Sequence, residues 1–174
     1  SGLGNPDDML SKAADYLTEY GVVVVLAAGN AGPSPGSVGS PASSRKAITV
    51  GATYKKDYED FAQNYWMDCD PGNSTLCGVC YENGTVLCHA YDTGNTFVDH
   101  ITYFSSRGPA DYGLTKPDIV APGAFICAAR YPGLNFSANR FYTFCVDDAH
   151  IRLPGTSMAT PIVSGAVALL LEAH

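Results

Sequence analysis

The chain has 174 residues, 46% of them hydrophobic and 16% charged, with a formal net charge of −7. This length suits one domain with a real core, and the composition forces no segment to stay disordered. The acidic balance and the lack of a basic stripe exclude a nucleic-acid partner. The longest apolar run, Ile162–Leu171, is about half of what spans a bilayer, which argues against a membrane span in this chain.

In chain order, Asn5-Pro6-Asp7-Asp8 reads as a helix start, with an Asn cap, Pro at the first position and acids in the first turn. Met9, Leu10, Ala13, Ala14 and Leu17 recur at helical spacing, and Gly21 ends the run. The unbroken apolar stretch from Gly21 to Ala28 predicts a parallel strand buried on both faces, broken by Gly29-Asn30-Ala31-Gly32-Pro33. In open α/β sheets the chemistry gathers beyond the carboxyl ends of the strands, and Asn30 occupies that place. Its side-chain NH2 can donate to an oxyanion; the plainer reading is an Asn tolerating a left-handed turn. A Gly/Ser/Pro loop runs from Gly29 to Ser44. Ala47–Ala52, Ile101–Phe104 and Ala124–Ala129 follow as further strands.

The chain closes on Gly155-Thr156-Ser157-Met158-Ala159-Thr160-Pro161, running into an apolar stretch to Leu171. Gly155 permits a tight helix start, and Pro161 is placed in the first turn, where a missing N–H costs little. Apolar residues on nearly every face predict a helix buried in the core. Ser157 then stands at the helix N-terminus, whose field favours developing negative charge; the plainer reading is a capping hydroxyl. Together these elements predict an α/β fold with a mainly parallel sheet and helices on both faces.

Residues 54–100 stand apart. They hold two Lys against eight Asp or Glu, and four of the six cysteines: Cys69, Cys77, Cys80 and Cys88. The acids read as a solvated loop; Asp68-x-Asp70 with Asn73 also offers oxygens for calcium, without the rest of a calcium-loop pattern. Cys77-x-x-Cys80, flanked by Cys69 and Cys88-His89, could hold zinc, but usual zinc frameworks have two close pairs and here there is one. An even cysteine count and three Asn-x-Ser/Thr sequons, at Asn73, Asn83 and Asn135, favour disulfides in a secreted glycoprotein. Six cysteines allow 15 pairings; one expectation joins Cys127 to Cys145, which would close a second insertion at about 131–150 onto its strand and leave the other four cysteines to pair among themselves.

Four motifs carry a resemblance: Ala27-Ala28-Gly29-Asn30, Phe104-Ser105-Ser106-Arg107-Gly108-Pro109, Lys116-Pro117-Asp118-Ile119-Val120-Ala121-Pro122-Gly123, and Gly155 to Pro161. In this order they resemble the subtilisin-like serine proteases, the subtilases. The third motif and the Thr160–Gly165 ending look most like the larger, oxidation-resistant alkaline branch. The resemblance leaves out about 54–100 and 131–150. It implies a subtilisin-like fold seen as the C-terminal part of a peptidase catalytic domain, with Ser157 as nucleophile and Asn30 as side-chain oxyanion donor beside the Ser157 N–H. It also implies a substrate pocket. Ala27, Ala28 and Gly29 match one wall and Ser1, Gly2, Leu3 and Gly4 roughly match the opposite wall. Val38-Gly39-Ser40-Pro41 matches the floor, with Pro41 as the family's cis-proline. A small Gly39 at the floor leaves room for a large apolar side chain.

The family's base and orienting carboxylate sit in His-Gly-Thr-His and Asp-Ser/Thr-Gly motifs upstream of the Asn, and neither motif is in this chain. His89, His100, His150 and His174 lack those neighbours; His150, with Asp147 and Asp148, reads as solvated loop. The expectation is therefore a serine endopeptidase whose missing N-terminal half supplies the triad partners, the chain alone being inactive. Its partners are protein or peptide substrates and that N-terminal half. No cofactor is required for the chemistry, and no metal ligand is assigned; a structural calcium is compatible with the family, its site unplaced. Met158 is a residue whose oxidation would harm activity, and Arg107 and Asp118 read as scaffold. The localisation expected is secreted or in the lumen of the secretory pathway. The rival readings are a non-catalytic subtilase-like binding or scaffold protein and a peptide ligase on the same fold.

Overall fold

Three parallel strands, ordered β1-β2-β3, form the sheet that positions the rest of the molecule. They are β1 (Val25–Ala27), β2 (Ile48–Thr53) and β3 (Ile119–Pro122). The computed structural model describes residues 3–54, 100–131, 143–144, 147 and 149–173. The chain divides into one unit made of residues 1–55 and 99–174 and another made of 56–98; the latter lies outside the described residues. The expected calcium oxygens, Asn73, Asn83, Asn135 and all the cysteines except Cys127 also lie outside them. Cys127 is disulfide-bonded.

β2 is the central strand, and its five residues after Ile48 are buried. Its partners are in register at Val25↔Ile48 and Ala27↔Val50 on one side, and at Val50↔Ile119 and Thr53↔Pro122 on the other. The long helix α2 (Thr156–Glu172) packs across all three strands. The core beneath it consists of small or β-branched residues: Val50, Ala52, Ala121, Ala159 and Val163, with Val25, Ile48, Phe104 and Val167 at its margin. This smallness lets the helix start approach the strand ends closely. A Cβ on Gly123, just after β3, would lie 2.5 Å from the Ala52 Cβ and 2.8 Å from the Gly155 carbonyl oxygen. A second, antiparallel sheet, ordered β4-β6-β5, is built from β4 (Ile126–Ala129), β5 (Thr143–Phe144) and β6 (His150–Leu153). β6 leads through Pro154 directly into α2.

Helix α1 (Met9–Glu19) is capped by Asp8, not by Asn5, because the Asp8 carboxylate accepts the Ser11 N–H at 2.8 Å. At its other end Gly21, at φ 82°, reverses the chain. The Gly21 N–H donates to the Thr18 carbonyl and the Val22 N–H to the Leu17 carbonyl, which satisfies the last turn. Ser11 is buried, and its hydroxyl lies 3.1 Å from Ser40 Oγ and 3.0 Å from Ser43 Oγ. The Asp15 carboxylate accepts from the Ser44 hydroxyl and the Lys46 N–H. Polar bonds thus tie α1 to residues 40–46. Its expected apolar stripe is mostly exposed, with Met9, Leu10 and Leu17 at the surface and only Ala14 buried among those named.

Other expectations also change. β1 is three residues long and half-buried, with Val22 and Val23 exposed, since its outer edge pairs with no strand among the described residues. Ile101–Phe104 is not a strand. It makes one bridge to Thr53 and then turns, the Ser105 N–H donating to the Thr102 carbonyl. Pro161 lies in the second turn of α2, where it has no N–H to give to the Ser157 carbonyl. α2 is not buried throughout: Thr156, Ala159 and Val163 are buried, while Leu169, Leu170 and Leu171 are 67%, 62% and 65% exposed. Val22–Val25 with Ser164, Val167, Ala168 and Leu171 line an open apolar groove. No helix among the described residues is long and apolar enough to cross a membrane.

The Asp8 cap yields a test. Its carboxyl is held below the ordinary carboxylate value chiefly by the Ser11 N–H, with help from the Ser40 hydroxyl. Asp8→Ala should lower stability by about 1 kcal/mol near pH 7, measured by urea denaturation. A depressed folded pKa gives stability that is present above the ordinary Asp value of about 3.9 and lost as pH falls through the depressed one. The difference between Asp8→Ala and the parent should therefore shrink on acidification below about pH 4.

Candidate active site

The turn after β1 and the first turn of α2 meet through side chains 126 residues apart in sequence. Ala28 N–H still pairs with the Val50 carbonyl, and the chain then bends at Gly29, whose φ of 106° suits glycine. A Cβ there would lie 2.9 Å from Ser106 Oγ. Asn30 follows and is exposed. Its Oδ1 accepts two hydrogen bonds, from the Thr156 N–H at 2.9 Å and from the Thr156 hydroxyl at 3.0 Å. Thr156 Oγ1 in turn accepts the Gly29 N–H at 3.2 Å. Because the Thr156 N–H can only donate, its bond fixes which end of the carboxamide is oxygen. The NH2 is left on the other side. It stands 3.4 Å from where a Cβ on Gly155 would be, a position that glycine leaves empty.

Gly155 has φ 153° and ψ 156°, a conformation open essentially to glycine alone. Its N–H donates to the Gly123 carbonyl at 2.8 Å, and its carbonyl accepts the Met158 N–H at 3.0 Å. Ser157 is the second residue of α2, is exposed, and belongs to the first turn, whose N–H groups have no carbonyl one turn back. The structure thus brings Asn30 and Ser157 to one place, at the C-terminal end of the parallel sheet and the positive end of the helix. Met158 is half-buried beside them, its sulfur 3.5 Å from the empty Cβ position of Gly155.

The residues expected to line a pocket fall into two groups. Ala27, Ala28 and Gly29 lead into the Asn30 turn, with Ala28 buried. Leu3 and Gly4 run beside Val38 and Gly39: the Gly4 N–H donates to the Val38 carbonyl at 2.9 Å, and a Cβ on Gly4 would collide with Gly39. Leu3 packs its side chain toward Gly36. A Cβ on Gly39 would meet nothing within 4 Å, so space is open there, and the Ser40–Pro41 bond is cis. Ser1 and Gly2 lie outside the described residues.

His150 is on strand β6, not in a loop, and its Nδ1 is 2.6 Å from Asp147 Oδ1. That contact holds the Asp147 carboxyl below its usual value and is local to the strand start. Lys116 is buried, and its ammonium donates to the Ala47 carbonyl at 2.9 Å and to Asp118 Oδ2 at 2.7 Å. The same Asp118 oxygen accepts the Thr49 N–H, joining β2 to the approach to β3. Arg107 is exposed, with its backbone paired to Ser37. Among the described residues no three His, Cys, Asp or Glu gather as a metal site. Sequence reasoning did not single out Thr156 as the partner of Asn30, nor Ser106 as a neighbour of Gly29; only their hydroxyls within the motifs hinted at it.

An exposed serine at a helix start thus follows Thr156, the residue bonded to the Asn30 carboxamide, at the C-terminal end of a parallel sheet. Comparison with known proteins names the family. Residues 2–174 match the profile of Peptidase_S8, the subtilase family, and the chain belongs to that family. It is 34% identical over 166 residues to serine protease AprX of Bacillus subtilis, covering 95% of this chain and 29% of that protein. It is 39% identical over 169 residues to pyrolysin of Pyrococcus furiosus, covering 95% of this chain and 10% of that one. Among solved structures, the prenylagaramide maturation protease PagA is 26% identical with a TM-score of 0.54, covering 99% of this chain and 40% of that one. The chain therefore spans less than a third of the length of either relative.

Gly155 offers a direct test of the geometry. Gly155→Ala should cost about 1–3 kcal/mol of stability, from the strain of placing a Cβ at this φ/ψ. Urea denaturation measures it; a cost below about 0.5 kcal/mol would contradict this backbone conformation.

Proposed function

We propose that the chain is the part of a subtilisin-type serine endopeptidase that carries the nucleophile and the oxyanion hole. The observation that carries this reading is the Asn30–Thr156 pairing, which turns the Asn30 NH2 toward the start of α2 beside an exposed Ser157. Ser157 Oγ attacks the peptide carbonyl carbon, and its proton passes to a histidine supplied by polypeptide preceding this chain. An aspartate from the same region orients that histidine. The carbonyl oxygen becomes an oxyanion that accepts from Asn30 Nδ2 and the Ser157 N–H. Collapse of the tetrahedral species breaks the C–N bond, and the histidine's proton goes to the leaving amine. Water then attacks the acyl-enzyme and releases the acid. These steps use side chains, the Ser157 backbone N–H and water.

Two features support a base from outside the chain. The chain covers only part of its relatives. Val22–Val25, Val167, Ala168 and Leu171 also line an open apolar groove, of the kind that further polypeptide of one domain would cover. Substrate peptides would enter between the Asn30 turn and the Leu3–Gly4 and Val38–Pro41 segments, with the open space at Gly39 taking a side chain. The disulfide at Cys127 and the sequons support a secreted protein.

In the polypeptide that includes the base, Ser157→Ala should abolish acyl-enzyme formation, read by loss of fluorophosphonate labelling and of peptide cleavage. Asn30→Ala should lower kcat by about 10²–10³-fold with KM little changed, a magnitude that comes from subtilisin itself. Residues 1–174 alone should leave peptides uncut. Unchanged turnover in Ser157→Ala would overturn the assignment.

A further inference from the structure

The Phe104–Pro109 motif holds two adjacent buried serines that the proposed chemistry leaves unused. They secure two different strand ends. Ser105 Oγ accepts the Ala52 N–H at 3.0 Å, within β2. Ser106 lies against the turn that carries Asn30. Its N–H donates to the Gly29 carbonyl at 2.9 Å, and its Oγ accepts the Ala31 N–H at 3.1 Å. One residue therefore holds the peptide groups on both sides of Asn30. With Ser106 only 1% exposed, water is poorly placed to replace the Ala31 bond if the hydroxyl is removed.

We infer that Ser106 is a positioning residue for the oxyanion donor, acting through Asn30 and not on the substrate; this rests on the function proposed above. The Asn30 side chain has two anchors. Thr156 fixes its far end, through Oδ1. Ser106 fixes its root, through the flanking backbone. A donor serves an oxyanion only over a narrow range of lengths, about 2.7–3.1 Å, so a small drift of the root removes much of the benefit. That drift affects the transition state and not the bound ground state, so the loss belongs in kcat.

The test is a double-mutant cycle in the polypeptide that includes the base, comparing the parent, Asn30→Ala, Ser106→Ala and the double variant. Ser106→Ala should lower kcat by about 10–100-fold, with KM within about twofold. On the Asn30→Ala background it should cost no more than about twofold further, because its target is already gone. Ser105→Ala, the neighbouring buried serine, should leave kcat within about threefold even where it lowers the melting temperature. Fully additive losses, or a raised KM with kcat unchanged, would overturn the role of Ser106. If Asn30→Ala alone left kcat unchanged, the oxyanion assignment itself would fall and take Ser106's role with it. If Ser106→Ala does not fold, Ser106→Cys, similar in size but a weaker acceptor, should show a smaller and equally non-additive loss; additivity there overturns the inference too.

Discussion

The two hydrogen bonds from Thr156 to Asn30 Oδ1 join the turn after β1 to the first turn of α2. They anchor the far end of the Asn30 side chain. They bring together residues from opposite ends of the sequence, and they decide which way the carboxamide faces. With its oxygen engaged, Asn30 has only its NH2 to offer toward Ser157. A rotated amide would leave the Thr156 N–H facing another donor, which is unfavourable where Thr156 is fully buried.

That contact requires the helix start to sit very close to the ends of the strands. The sequence achieves this by removing side chains. Gly123 would overlap Ala52 and the Gly155 carbonyl if it carried a Cβ, and Gly29 would crowd Ser106. Ala52 and Ala159 keep the floor of the same region shallow. The buried Lys116 ammonium with Asp118 sets the spacing further back, linking Ala47, the Thr49 N–H and the approach to β3. The core is therefore a device for close approach as much as a store of buried apolar area. The larger apolar side chains stand at the margin or in the open, as Leu169–Leu171 do.

The parts legible in the sequence were those fixed by local chemistry. Gly155 and Ser157 were readable from a glycine placed before a helix, and Asn30 from a polar residue ending a β-branched run. Gly21 was readable as a helix stop, and the structure gives it the hydrogen bonds of one. What was not legible depended on distant partners. Asp8 rather than Asn5 caps α1, in a region where Ser11 also reaches Ser40 and Ser43. β3 does not read as a strand in the sequence, because prolines punctuate its approach and its pairing comes from β2. Ile101–Phe104 has strand-like residues but only one bridge, since Thr102 N–H reaches Ala52 and the chain then turns. The burial expected for α2 assumed that apolar residues are covered within this chain, and at its C-terminal half they are not. Ser106 could be seen as one of a pair of serines, but its bonds to Gly29 and Ala31 required the fold.

The central claim is that Asn30 and the Ser157 N–H converge on one oxyanion. The most direct measurement is a crystal structure of the polypeptide that includes the base, in adduct with a peptide boronic acid. The account predicts a bond from Ser157 Oγ to boron, with one boronate oxygen about 2.7–3.1 Å from both Asn30 Nδ2 and the Ser157 nitrogen. A boronate bound to another side chain, or an Asn30 carboxamide turned with its oxygen toward the adduct, would contradict it.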